Sequence, residues 1–113
     1  VILNAYPYNT GHVMVLPYEH VADFDDLNPT TRLEMFDLVV RTIGAIQTSY
    51  TPDGVNMGAN IGRGAGAGIP DHLHVHVLPR WDGDTNFMTT VGGVRVLPET
   101  LDSTLERLRS AFD

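Results

Sequence analysis

The 113-residue chain contains no Cys and a single Trp, and its seven basic residues are all Arg. These gaps narrow its chemistry before any pattern is read. Without Cys there is no thiolate zinc site, thiol nucleophile, iron–sulfur cluster or disulfide framework, and thiol usage gives no redox compartment. Without Lys there is no Schiff-base amine, and the phosphate-binding P-loop pattern cannot be written on the chain. Positive charge is scarce as a whole. A formal net charge of −7 speaks against a broad nucleic-acid face, which relies on Lys and Arg neutralising phosphates. Small anions remain eligible ligands, because local backbone amides can hold them. No apolar run approaches the ~20 residues that span a bilayer, and no basic segment followed by an apolar stretch opens the chain. The expectation is a soluble domain with neither membrane nor nucleic-acid partner, and the cytoplasm as its default location.

What is present suffices for a core. With 42% hydrophobic residues, a chain of this size buries about two-thirds of its unfolded surface without a disulfide or structural metal. A single domain over 1–113 is expected. It opens at Val1 inside what reads as a strand, so an N-terminal portion is expected to be missing.

Val1 to Ala5 and His12 to Pro17 read as two strands of a hairpin, separated by a Pro-, Asn- and Gly-containing turn over residues 6–11. Asn28 before Pro29 reads as a helix N-cap, and Phe36, Val39, Val40, Ile43 and Ile46 recur at helical spacing up to about Tyr50. After the breaker Thr51-Pro52-Asp53-Gly54, alternation marks strands over Val55 to Ile61 and Asp71 to Leu78. Pro98 to Phe112 reads as a closing helix with Leu101, Leu105 and Leu108 on one face. The order predicts an α+β fold, an antiparallel sheet with one long helix and a C-terminal helix.

The Asp71 to Leu78 segment sets His72, His74 and His76 on one face, with Leu73, Val75 and Val77 on the other. Successive imidazoles would stand roughly 6.5–7 Å apart on a rigid, core-anchored strand, as a reactive site requires. Zinc held by all three is geometrically strained, because the outer pair would lie ~13 Å apart against Zn–N bonds of ~2.0 Å. Two of them with His12 or His20 could still hold a metal. The stretch Gly62 to Gly68 precedes them and could bring backbone amides close to an anion, as could Arg63 by charge. A flexible surface loop has the same composition.

His72-Leu73-His74-Val75-His76-Val77-Leu78 resembles the signature of the histidine triad (HIT) superfamily of nucleotide hydrolases and transferases. Gly11-His12-Val13-Met14-Val15-Leu16-Pro17, with Asn4 eight residues before His12, is similar to that family's first hairpin. The resemblance covers most of the chain. Leu78-Pro79-Arg80-Trp81 and Gly83-Asp84-Thr85-Asn86-Phe87, with Val91-Gly92-Gly93 and Val96-Leu97-Pro98, are most similar to the bacterial diadenosine tetraphosphate phosphorylases. His76 at the third triad position departs from the Gln of the galactose-1-phosphate uridylyltransferase branch.

The resemblance implies that His74 attacks the α-phosphorus to give an adenylyl-histidine, with phosphate as second acceptor and ATP and ADP as products. It implies that a main-chain carbonyl near His72 fixes the His74 tautomer, that His72 and His76 contact phosphate oxygens or the leaving group, and that His12 orients the triplet. Asn4 matches a ribose-holding position and Asn60 one near the phosphates, with Gly66 and Gly68 in the cradle. Where the family usually has Gln or Ser, this chain has Gly68, which puts the acceptor in question. Two alternatives are a hydrolase using water on dinucleoside polyphosphates or phosphoramidates, and a non-catalytic nucleotide-binding module. No cofactor is expected beyond a divalent cation accompanying the substrate, and a homodimer is implied by the resemblance alone. His20 matches no motif and reads as a surface residue. Trp81 reads as a site wall, an interface residue or core, and Asn56 as a site or network residue.

Overall fold

In a computed structural model, the described residues are 1–5, 10–67, 69–84 and 99–112. Strand β1 (Ile2–Leu3) pairs antiparallel with β2 (Val13–Val15), as the hairpin reading expects. Helix α1 (Pro29–Tyr50) follows, then β3 (Gly54–Gly58), β4 (Val75–Arg80) and helix α2 (Leu101–Phe112). The sheet order is β1-β2-β4-β3, and every pairing is antiparallel. Two short 3-10 turns, Phe24–Asp26 and Arg63–Ala65, carry no periodicity long enough to be read from sequence.

Helix α1 starts where its cap chemistry dictates. The Asn28 side-chain oxygen accepts from the Thr31 N–H at 2.9 Å, satisfying a donor that the first turn leaves unpaired, and Pro29 supplies a preset φ at N1. The helix ends at Thr51 in the left-handed conformation, with φ 42°. Its buried stripe is the expected one only in part. Met35, Val39, Thr42 and Ile46 face the sheet, while Phe36 and Val40 are exposed. Thr42 joins that stripe, its hydroxyl donating to the Leu38 carbonyl at 2.7 Å so that it enters the core satisfied.

The strands are shorter or shifted relative to expectation. β3 stops at Gly58 rather than Ile61, and β4 runs from Val75 to Arg80 rather than from Asp71 to Leu78. Residues 71–74 leave the ladder, and the Leu73 N–H donates instead to the Val21 carbonyl at 2.6 Å. At the other end, Pro79 is tolerated within β4 because pairing with β2 has already ended at Val77. Gly11, at φ +83°, packs against it: a Cβ there would stand 3.0 Å from Pro79 Cγ and 3.1 Å from the Tyr50 ring.

Val13, Val15, Val75 and Val77 turn inward from the two central strands onto Val39 and Ile46 of α1, forming the core with Leu73 and Leu108. Helix α2 buries Thr104 and Leu108, whereas Leu101 and Leu105 stay half-exposed; Pro98, its expected start, lies outside the described residues. Glu99 ties the helices together. Its Oε2 accepts from the Tyr50 hydroxyl at 2.5 Å and from Thr104 at 2.7 Å, and Oε1 lies 3.4 Å from Arg107. Burial, then the Glu99 carboxylate, pushes the Tyr50 phenol up to about 12.

Candidate active site

The valines of β2 and β4 point into the core, so the residues between them emerge on the opposite face of the sheet. Met14 and His76 are Cα partners across the β2–β4 ladder. His12 immediately precedes β2 and is buried to 1% exposure, and His74, immediately before β4, is buried to 8%. Three imidazoles meet here: His74 and His76 have ring centroids 4.8 Å apart at 80°, and His12 and His76 lie 5.0 Å apart.

For His74 the hydrogen bond fixes which nitrogen carries the proton. His74 Nδ1 lies 2.8 Å from the His72 carbonyl oxygen. A carbonyl only accepts, so Nδ1 carries the proton and Nε2 presents a lone pair. His12 Nε2 lies 2.8 Å from His76 Nδ1 and 3.4 Å from the Asn4 amide nitrogen. One of the two facing ring nitrogens donates to the other, which turns His76 Nε2 away from His12. Burial, reinforced by repulsion from His76 and His74, lowers His12 to about 4. Burial and then His74 also lower His76. Both rings are therefore neutral at pH 7.

His72 stands apart from this group. Because β4 begins at Val75, the even spacing of three rings along one strand does not hold. The His72 ring turns the other way: Nε2 donates to the Pro17 carbonyl at 3.0 Å, and Nδ1 lies 2.9 Å from His20 Nδ1. Both ring nitrogens are engaged, so His72 reaches His74 through its carbonyl rather than through a ring facing phosphate. His20 is exposed, as expected, yet its ring is 5.0 Å from that of His72. Nothing local in the sequence marks this pairing, because it depends on the chain between Pro17 and Val21 folding back beside residues 72–73.

Asn60 lies two residues beyond Gly58, the Cα partner of His76. Gly66 closes the 3-10 turn at φ +91°, and its N–H donates to the Arg63 carbonyl at 2.9 Å. The Ala65 and Ala67 N–H groups both donate to the Gly62 carbonyl at 3.3 Å. Three amides of the Gly-rich segment are thus directed within the loop rather than at an anion. Gly68 lies outside the described residues, as do 85–98. Asn56 joins a network instead of the histidines: its Oδ1 accepts from Arg80 at 2.8 Å, and Arg80 grips Asp84 at 3.1 Å. Trp81 packs edge-on against Tyr50 at 6.2 Å beside the core. Among the described residues no cluster of three or more metal-ligating side chains forms, and no helix is long and apolar enough to cross a membrane.

An antiparallel sheet backed by a long helix thus carries three clustered imidazoles at the start of β4. Residues 1–83 match the HIT domain, and the chain belongs to the HIT family. It is 45% identical over 111 residues to the AP-4-A phosphorylase of Mycobacterium tuberculosis (strain H37Rv), covering 98% of this chain and 57% of that protein. It is 33% identical over 82 residues to the asymmetrical bis(5'-nucleosyl)-tetraphosphatase of Schizosaccharomyces pombe, covering 73% of this chain and 44% of that protein. A hypothetical histidine triad nucleotide-binding protein from Sulfolobus tokodaii superposes with a TM-score of 0.79 at 29% identity, covering 97% of this chain and 74% of that one. The chain spans little more than half the length of its M. tuberculosis relative.

Proposed function

We propose that the protein is a dinucleoside polyphosphate phosphorylase that converts diadenosine tetraphosphate and phosphate to ATP and ADP. One observation carries this reading: the His74 Nδ1–H bond to the His72 carbonyl at 2.8 Å leaves the Nε2 lone pair as a nucleophile. That lone pair forms a bond to the α-phosphorus, and the P–O bond to the remaining nucleotide breaks to release ATP. An oxygen of inorganic phosphate then attacks the adenylyl phosphorus, the N–P bond breaks, ADP departs and the imidazole is restored. His76, held by His12, lies beside the reacting centre, where its ring can meet phosphate oxygens or the leaving group. Asn4 serves the ribose, and Asn60 and Gly68 the phosphates. The reaction as written uses only these side chains and its two reactants, with a divalent cation entering as the counter-ion of the polyphosphate.

The phosphorylase relative supports phosphate as acceptor, and the tetraphosphatase relative supports a second reading in which water takes that place. Incubation with diadenosine tetraphosphate, with and without inorganic phosphate, separates the two. We expect ATP and ADP to form only with phosphate present; AMP released at a rate indifferent to phosphate would overturn phosphorolysis. Replacing His74 with Ala should lower turnover by at least ~10³-fold while nucleotide affinity changes little. Undiminished turnover would remove His74 as nucleophile. A homodimer, implied by the family resemblance, finds support in exposed Leu33, Phe36 and Val40 on α1, of which Phe36 lines a groove with Met57 of the edge strand β3.

A further inference from the structure

The chain between β3 and β4 leaves the sheet at Gly58 and rejoins it at Val75. Gly58 is the Cα partner of His76, so both ends of this loop stand at the clustered imidazoles. A polyphosphate lying there needs donors or positive charge. The N–H groups of Ala65, Gly66 and Ala67 are already spent on the Gly62 and Arg63 carbonyls. What the loop does present is Arg63, the first residue of its 3-10 turn, which is exposed. Among the described residues its guanidinium enters neither an ion pair nor a hydrogen bond. Arg63 follows Gly58 by five residues, which at full extension span no more than about 18 Å, and the 3-10 turn shortens that path.

The other arginines of the described residues are placed or committed elsewhere. Arg32 and Arg41 lie on α1, Arg41 over the Phe112 ring at 5.7 Å, and Arg107 and Arg109 lie on α2. Both helices pack on the valine side of the sheet, away from the histidines. Arg80 alternates with Val77 and Pro79 and so shares the His76 face, but Asp84 and Asn56 bind it. His12 and His76 are neutral and add no positive charge. We propose that Arg63 anchors the phosphates of the leaving nucleotide, those beyond the α-phosphorus, and makes the site selective for long phosphate chains. For the nucleotide this rests on the functional reading above; for a bare phosphate chain it does not. Arginine suits the task because its fork donates to two phosphate oxygens at once and its charge persists at every working pH. In a chain of net charge −7, this cation also offsets a field that otherwise repels the substrate.

Calorimetric titrations into the His74→Ala protein, in which cleavage is suppressed, test this with diadenosine tetraphosphate, AMP and inorganic tripolyphosphate. Adding Arg63→Gln should weaken diadenosine tetraphosphate and tripolyphosphate about five- to tenfold, as the loss of one charge-assisted contact does, and Arg63→Glu should weaken both further. AMP carries only the phosphate that meets the histidines, and its affinity should stay within about twofold in both variants. With His74 intact, Arg63→Gln should lower kcat/KM for diadenosine tetraphosphate by a similar factor. Equal affinity for the two longer ligands across Arg63 and its two variants would overturn the proposal. So would AMP weakened as much as they are, which would put Arg63 at the α-phosphate or leave it a purely structural part. A protein that binds no tripolyphosphate at all would overturn it as well. If the protein with His74 intact leaves diadenosine tetraphosphate uncleaved, the functional reading falls, and the tripolyphosphate titrations still decide the role of Arg63.

Discussion

A buried histidine flanked by two others cannot easily accept a proton, and His12 records this in its pKa of about 4 against the ordinary 6.5. The unfolded chain takes up that proton near 6.5 and the folded one resists until about 4, so stability is complete above that window and falls as pH descends through it. The lowered His76 acts in the same direction. Urea melts at pH 7, 5.5 and 4.5 should show a progressive loss of stability in the wild type and a flatter profile in His12→Asn; parallel profiles would refute the assignment. At this scale the sequence is only partly informative. The carbonyl partner of His74 is expected from the family resemblance alone, and it is found at 2.8 Å. The outward turn of His72 and its contact with His20 are invisible, because they are set by a loop fifty residues away in the chain.

Elements were legible where local rules act alone. Asn28-Pro29 places the start of α1 because capping and proline geometry need no tertiary partner. The buried face of the same helix is legible at Val39 and Ile46 but not at Thr42, since a threonine that satisfies its own hydroxyl counts as apolar only after folding. β4 was placed too early because alternation continues through residues 71–74, while hydrogen bonding there goes to Val21. Gly11 carries the element-level prediction. Gly11→Ala forces a side chain into the left-handed region and against Pro79 and Tyr50, and should cost about 1–3 kcal/mol in chemical denaturation. An unchanged midpoint would mean that the turn moves freely against β4.

For the whole molecule, the β-β-α-β-β-α order was sufficient to give the antiparallel sheet and its two helices. The exposed stripe on α1 was not foreseen, because Phe36 and Val40 looked like core. If that stripe joins two copies, sedimentation of the wild type at micromolar concentration should give a dimer, and Phe36→Glu should give a monomer that keeps its helical circular dichroism. A wild type that sediments as a monomer would dismiss the interface.

The placement of β4 between β2 and β3 has one more result. Its partners on the two sides come from opposite ends of the chain's first half, and β4 itself arrives late in the sequence. During synthesis α1 can form early from neighbouring residues, but the imidazole cluster has no scaffold until the strand carrying it slots between two others already made. On the chemistry proposed above, a nascent or half-unfolded chain would lack an aligned nucleophile and be spared covalent capture of nucleotide before assembly is finished.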